Sequence, residues 1–196
     1  MPFSLFMKQI TFIGGRKTRT VWLGRKSFFP FASGAEGKLY KQNIIVKKGK
    51  KIKKCKMVLK KFTGNKFGGY SEVYSNLGEP LKHFETFEEL KKLNKEKKLD
   101  LPLLSTFRIE KTTSGKPRIL MTDLNKKGFL TYDIVNPKLI NNYEQIRQQK
   151  GEAILKLAEN GFDAYYPHNW IVQVNLKTKE GKLFLADLGT IKKINK

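Results

Sequence analysis

Two pairs of apolar runs, each split by a polar turn, constrain the fold of this chain more than any other feature. LLSTFRIEKTTSGKPRILMTDL, which begins at Leu103, sets two apolar runs on either side of a Ser-Gly-Lys-Pro turn. WIVQVNLKTKEGKLFLADLG, which begins at Trp170, reads as another such pair. Both predict β-hairpins, because Gly and Pro mark the reversal and the flanking runs supply the bulk that strands bury. Upstream, FPFASGAEGKLYKQNIIVKK reads as strand, glycine turn, strand, short turn and strand, with Ile44, Ile45 and Val46 as β-branched bulk.

Helices lie among these strands. Phe84, Phe87, Leu90 and Leu93 recur about every third residue with acids between them, which predicts an amphipathic helix that ends before Pro102. In a second helix Tyr143, Ile146, Ala153, Ile154, Leu157 and Ala158 share a face, and Asn160-Gly161 closes it. Residues 3–31 suggest short strands around Gly14-Gly15, residues 49–82 read as a lysine-rich surface insertion containing GNKFGGY, and residues 125–137 read as a hinge-like stretch. Hairpins mixed with helices in this order predict an α+β fold.

A chain of 196 residues with 39% hydrophobic content can bury a core, as one domain or as two small lobes. The single Cys55 forms no internal disulfide and predicts a reducing compartment. No window approaches the roughly 20 apolar residues that span a membrane, and the opening lacks the apolar core of a signal peptide. A cytoplasmic protein is expected, or one delivered into a host cell without a cleavable signal. The formal charge is +23, and residues 1–61 hold one acid, Glu36. Such a field attracts polyanions of any kind, from nucleic acid to acidic proteins, without choosing among them.

Two constellations carry chemistry. Gly34 and Gly37 flank a turn between strands, and Lys47 stands ten residues beyond Gly37 at the end of an apolar run, where an ammonium is expected to reach phosphates under the turn. Near the end, Asn169 leads into one strand and Asp187 follows its hairpin partner. An amide and a carboxylate at adjacent strand ends suit Mg²⁺, which favours oxygen ligands and leaves positions for water and phosphate. Either motif alone is more often an ordinary turn.

In order along the chain, these motifs resemble the protein-kinase-like superfamily. Ala32-x-Gly34-x-x-Gly37-x-Leu39 is similar to its glycine loop with the first glycine replaced, and Ile45-Val46-Lys47 resembles the strand ending in the ATP-anchoring lysine. The helix from Phe84 resembles the one supplying that lysine's glutamate partner, with Glu85 and Glu88 as candidates. RILMTDL is similar to the hinge strand, which puts Met121 at the back of the adenine pocket and Leu124 on the backbone that meets adenine. Pro167-His168-Asn169 resembles the end of the catalytic loop, and Leu185-Ala186-Asp187-Leu188-Gly189 the metal-binding Asp-Phe-Gly. The family's His-Arg-Asp is missing: Asp163, six residues before Asn169 where the family spacing is five, is the nearest base, and Ala164 occupies the family position.

The resemblance implies a two-lobed fold with an antiparallel N-lobe sheet, one helix and a reduced C-lobe. It divides the chain into an extension 1–27, an N-lobe 28–124 and a small C-lobe 125–196, as in minimal bacterial effector kinases. It also implies ATP and Mg²⁺ as cofactors and phosphoryl transfer to a hydroxyl of a partner protein, a host protein among the candidates, with an acidic partner or polyanion as activator. Two rivals stand beside it: a pseudokinase that binds nucleotide without transfer, and a nucleic-acid or polyanion binder favoured by aromatics among lysines in KKFTGNKFGGY. The nucleic-acid reading ranks lower, because the chain carries no zinc-finger, helix-turn-helix or RNA-recognition signature.

Overall fold

The computed structural model describes residues 8–14, 17–26, 28–30, 32–34, 37–48, 51–62, 79–109 and 118–194. Among these, two α-helices and antiparallel sheets make a mixed α+β protein, as expected. The chain divides into two compact units, Met1–Phe84 with Ser105–Asp123, and Glu85–Leu104 with the residues from Leu124 onward. The boundary after Asp123 lies one residue from the expected lobe boundary, but residues 85–104 belong with the second unit.

The first unit is a sheet. Its strands are β1 (Lys8–Gly14), β2 (Lys17–Lys26), β3 (Ala32–Gly34), β4 (Gly37–Lys48), β5 (Lys51–Phe62), β6 (Thr106–Ile109) and β7 (Arg118–Thr122). They run β2-β1-β6-β7-β5-β4-β3, and an added β2–β4 pairing joins six of them into a closed ring, leaving β3 appended to β4. Two expectations change here. Residues 8–14 and 17–26 are strands built into this sheet rather than a short extension, and β5 pairs with β4 along its whole length, so residues 51–62 are no insertion. GNKFGGY and the Ser-Gly-Lys-Pro turn lie outside the described residues.

Burial explains why β5 escapes a simple pattern. Met57, Val58, Leu59 and Lys60 are all buried, as are Ile119, Leu120 and Met121 of β7, to which β5 is paired. Strands covered on both faces show no alternation of apolar and polar residues. Lys54 and Lys56, outside the β7 pairing, are exposed.

Helix α1 (Glu79–Lys97) buries His83, Phe84, Thr86, Phe87 and Leu90, the spacing of one helical stripe. Lys98 and Asp100, both at positive φ, break the helical path after it. In the second unit β8 (Phe129–Tyr132), β10 (Trp170–Asn175) and β11 (Gly181–Leu185) form an antiparallel sheet in the order β11-β10-β8. A two-stranded pair joins β9 (Phe162–Asp163) to β12 (Lys192–Lys193). The stretch read as hinge-like thus contains a strand, β8. Trp170, Val172 and Val174 alternate inward along β10, and with Leu183, Leu185 and Leu188 they pack against Leu90 of α1 and Leu157 of helix α2 (Tyr143–Glu159). Gly161, at φ +82, closes α2 as its sequence predicts. No helix among the described residues is long and apolar enough to cross a membrane.

Candidate functional site

The second unit brings Asn169 and Asp187 together. A 3-10 turn, Pro167–Asn169, leads into β10, and the indole of Trp170 donates to the Ala164 carbonyl at 2.8 Å, pinning the loop before it. Asn169 is fully buried at its centre. Its backbone carbonyl accepts from the N–H groups of Ala186 (2.8 Å) and Asp187 (3.3 Å), so the residue that starts β10 is tied to the residues that leave β11. Thr190, which sequence reasoning missed, completes the cluster: its hydroxyl donates to Asn169 Oδ1 and lies 3.3 Å from the Asp187 carbonyl. Nothing in a lone Thr three residues after Asp187 signals this role.

One end of the Asn169 side chain has no partner. Nδ2 is buried and makes no hydrogen bond, an arrangement that costs on the order of 1–3 kcal/mol in a closed protein. A half-turn of the carboxamide lets Nδ2 donate to Thr190 Oγ1 and places Oδ1 at the orphaned position. An amide oxygen and a carboxylate, here that of the half-buried Asp187, are ligand types that fit Mg²⁺, which binds through one or two protein oxygens and keeps its remaining positions for water and phosphate. Among the described residues no group of three or more His, Cys, Asp or Glu is placed to hold a metal.

Asp163 is exposed and turned along its own loop, with Oδ1 accepting from the Tyr165 N–H at 3.0 Å. β9 pairs regularly with β12, Asp163 opposite Lys192, so there is no bulge to carry Asp163 into the place of Ala164, whose side chain is buried. Tyr165 and Tyr166 are 76% and 55% exposed. His168 is exposed beside them, with Nδ1 3.2 Å from Asp133 Oδ2. Burial raises the Asp133 carboxyl, but the backbone N–H groups of Ile134 and Asp133 and then the His168 ring outweigh it and hold that carboxyl below its ordinary range.

In the first unit the glycine turn forms as expected, with Gly34 paired to Gly37 across a two-residue connection. Lys47 does not join it. β4 is unbroken from Gly37 to Lys48, so at ~3.3 Å per residue Lys47 lies about 33 Å along the strand from Gly37, several side-chain lengths away. The side chain of Lys47 lies outside the described residues. Lys60 is the lysine that the fold brings to the turn. It sits on β5 opposite Leu39, two residues from Gly37, and is buried between β4 and β7. Its signal was present in the sequence as a lysine ending the apolar run Met57-Val58-Leu59 but was hidden by the lysines around it.

Neither helix glutamate occupies the buried face of α1. Glu85 is exposed, and Glu88 accepts from Lys91 at 3.5 Å on the surface. Met121, near the end of β7, and Leu124, just after it, are both buried, and the Leu124 carbonyl accepts from the Gln173 side chain. Next to Leu124, Asp123 is buried and ion-paired to Lys41 of β4 at 2.7 Å. No family model matches this chain, and no curated protein matches it.

Proposed function

We propose that the protein is a protein-kinase-like phosphotransferase that moves the γ-phosphate of ATP to a hydroxyl of a partner protein. The observation that carries this reading is the buried Asn169, whose side-chain Nδ2 is orphaned and whose backbone carbonyl accepts from the N–H of Asp187. When bound, Mg²⁺ supplies neutralising charge for the phosphate chain, and Asn169 and Asp187 are the residues that would hold it. In the first unit, Lys60 stands on the third strand counted from the one that enters the glycine turn, the position from which a kinase lysine meets phosphates. Gly34 and Gly37 carry no side chain, so a phosphate can approach the backbone of the turn closely. In this reading Asp163, the acid next in sequence to the family position held by Ala164, aligns the acceptor hydroxyl from outside that position. Such transfer needs little covalent help from the protein, so position and charge do most of the catalysis.

A second reading has its own observation. Ala164, at the family position of the base, is buried and Asp163 is turned outward; this favours a pseudokinase that binds nucleotide without transferring phosphate. One experiment separates the two: purified wild type and Asp187→Ala are incubated with γ-labelled ATP, Mg²⁺ and a eukaryotic lysate. Label on a discrete protein with wild type alone supports the kinase. Nucleotide binding without label supports the pseudokinase, and loss of neither in Asp187→Ala removes the metal assignment.

A further inference from the structure

The three-stranded sheet of the second unit ends in an open edge. On one side β11 is closed at Leu185, whose N–H donates to the Pro102 carbonyl at 2.8 Å and whose carbonyl accepts from the Leu104 N–H at 3.0 Å. On the other side lies β8, which among the described residues has β10 as its one strand partner. The bond from the Leu176 N–H to the Gly128 carbonyl, 2.9 Å, fixes which way the backbone groups of β8 point. In the β8–β10 register it puts Leu130 and Tyr132 among the residues bonded to β10, so Phe129 and Thr131 turn their backbone groups outward. The Phe129 N–H is taken by the Lys126 carbonyl at 2.9 Å. The outward row is therefore the Phe129 carbonyl with the N–H and carbonyl of Thr131. No bulge, charge or proline, the devices that blunt an edge, falls within Phe129–Tyr132.

Side chains along this edge define what it can hold. Leu130 stands opposite Val174 and shares its face of the sheet, yet Leu130 is 44% exposed where Val174 is 2% exposed. A further strand beside β8 would cover it. Lys126 and Lys127 are exposed at the entry to β8, and no acid lies between Leu124 and Tyr132. Lys177 and Lys179 are exposed in the β10–β11 turn, which Leu176 ties to Gly128, with Glu180 as the one acid of that turn. This end of β8 is cationic. At its other end Asp133 follows Tyr132, with Oδ2 3.2 Å from Nδ1 of His168, the residue before Asn169. Four residues of strand, about 14 Å long, thus lead from a group of lysines to the loop that carries Asn169.

From this we infer that the acceptor segment of the partner protein binds as an added β-strand on the outer edge of β8. The segment is extended, with an apolar residue against Leu130 and acidic residues against Lys126, Lys127, Lys177 and Lys179. Main-chain bonds to Phe129 and Thr131 supply affinity, and the flanking side chains supply selectivity. A nucleic acid would meet the same lysines, but it has no alternating N–H and C=O groups to match Thr131. What is done to the segment rests on the phosphotransferase reading, whereas its binding needs the edge alone.

The test is fluorescence anisotropy of a short labelled peptide of alternating valine and threonine with glutamates at one end, added to the full chain without ATP or Mg²⁺. Wild type binds it. The same peptide N-methylated at every residue keeps its side chains, loses its N–H groups and binds at least about tenfold more weakly. Thr131→Pro removes the outward N–H without touching a bond to β10, and it weakens binding about five- to tenfold while circular dichroism shows an intact fold. Lys126→Gln/Lys127→Gln/Lys177→Gln/Lys179→Gln weakens binding about tenfold at low salt, and lysines in place of the peptide's glutamates abolish it. Equal affinity for the N-methylated peptide overturns the inference, as does absence of binding up to about 1 mM peptide. So does a single-stranded oligothymidylate that binds more tightly and displaces the peptide. Phosphate transfer by wild type without peptide binding removes this surface and leaves the phosphotransferase reading, and peptide binding without transfer does the reverse.

Discussion

Replacing Lys60 and Lys47 by methionine in separate variants sets the fold against the linear sequence. Methionine keeps the length and apolar stem of lysine, so Lys60→Met preserves the packing of β5 between β4 and β7 while removing the ammonium. A hydrogen bond from a charged group to phosphate contributes about 1.5–3 kcal/mol, which corresponds to about 10- to 150-fold in affinity. The expected outcome is that Lys60→Met weakens Mg-ATP binding by that factor, read by isothermal titration calorimetry. Lys47→Met should leave the Kd within about twofold, because its Cα lies ~33 Å along β4 from Gly37 and no side-chain motion covers that span. Circular dichroism melting of both variants serves as the folding control. If Lys47→Met abolishes binding and Lys60→Met does not, the assignment of the phosphate lysine from strand register is wrong.

Other outcomes follow from the second unit. Gly181→Ala brings a Cβ to 3.0 Å from Val172 Cγ1 and 3.1 Å from Ile140 Cδ1, and this overpacking should cost about 1–3 kcal/mol in urea unfolding; an unchanged midpoint would show that the neighbours shift freely. Asp163→Asn should lower phosphoryl transfer by about 100-fold with Mg-ATP affinity unchanged, whereas full turnover would take the aligning role away from this residue. Asp133 has its folded pKa below the ordinary 3.8, so its contribution to stability is complete above that value and fades as pH falls through the folded value. Because Asp133 and His168 are both largely exposed, Asp133→Asn should cost less than about 1 kcal/mol at neutral pH, and the difference in melting temperature from wild type should vanish in strong acid.

How much of this was legible in the sequence depends on how local the determining forces are. The hairpin of β10 and β11 and the close of α2 at Gly161 rest on neighbouring residues, and both were readable. β8 was not, because Phe129–Tyr132 is a strand only by virtue of pairing with β10 some forty residues later. β5 was hidden for a different reason: its outer half is held by lysines and its inner half is buried on both faces, so neither half alternates. At the site, Asn169 and Asp187 could be paired in advance because each marks the end of a hairpin strand. The glycine turn and its lysine could not, since the lysine is supplied by the next strand through cross-strand register, and register is invisible to spacing along the chain.

The closed ring of six strands also sets an order of events for a growing chain. β1, β2, β4 and β5 can pair as soon as they are made, because their partners lie close in sequence. The ring itself waits for β6 and β7: Phe12 meets Ile109, and Met57 meets Thr122. Until those strands leave the ribosome, β1 and β5 expose unpaired edges, and contacts of such long range are the slow step of folding. The interval between synthesis of residue 62 and residue 118 is therefore when the nascent chain is most open to pairing with another copy of itself.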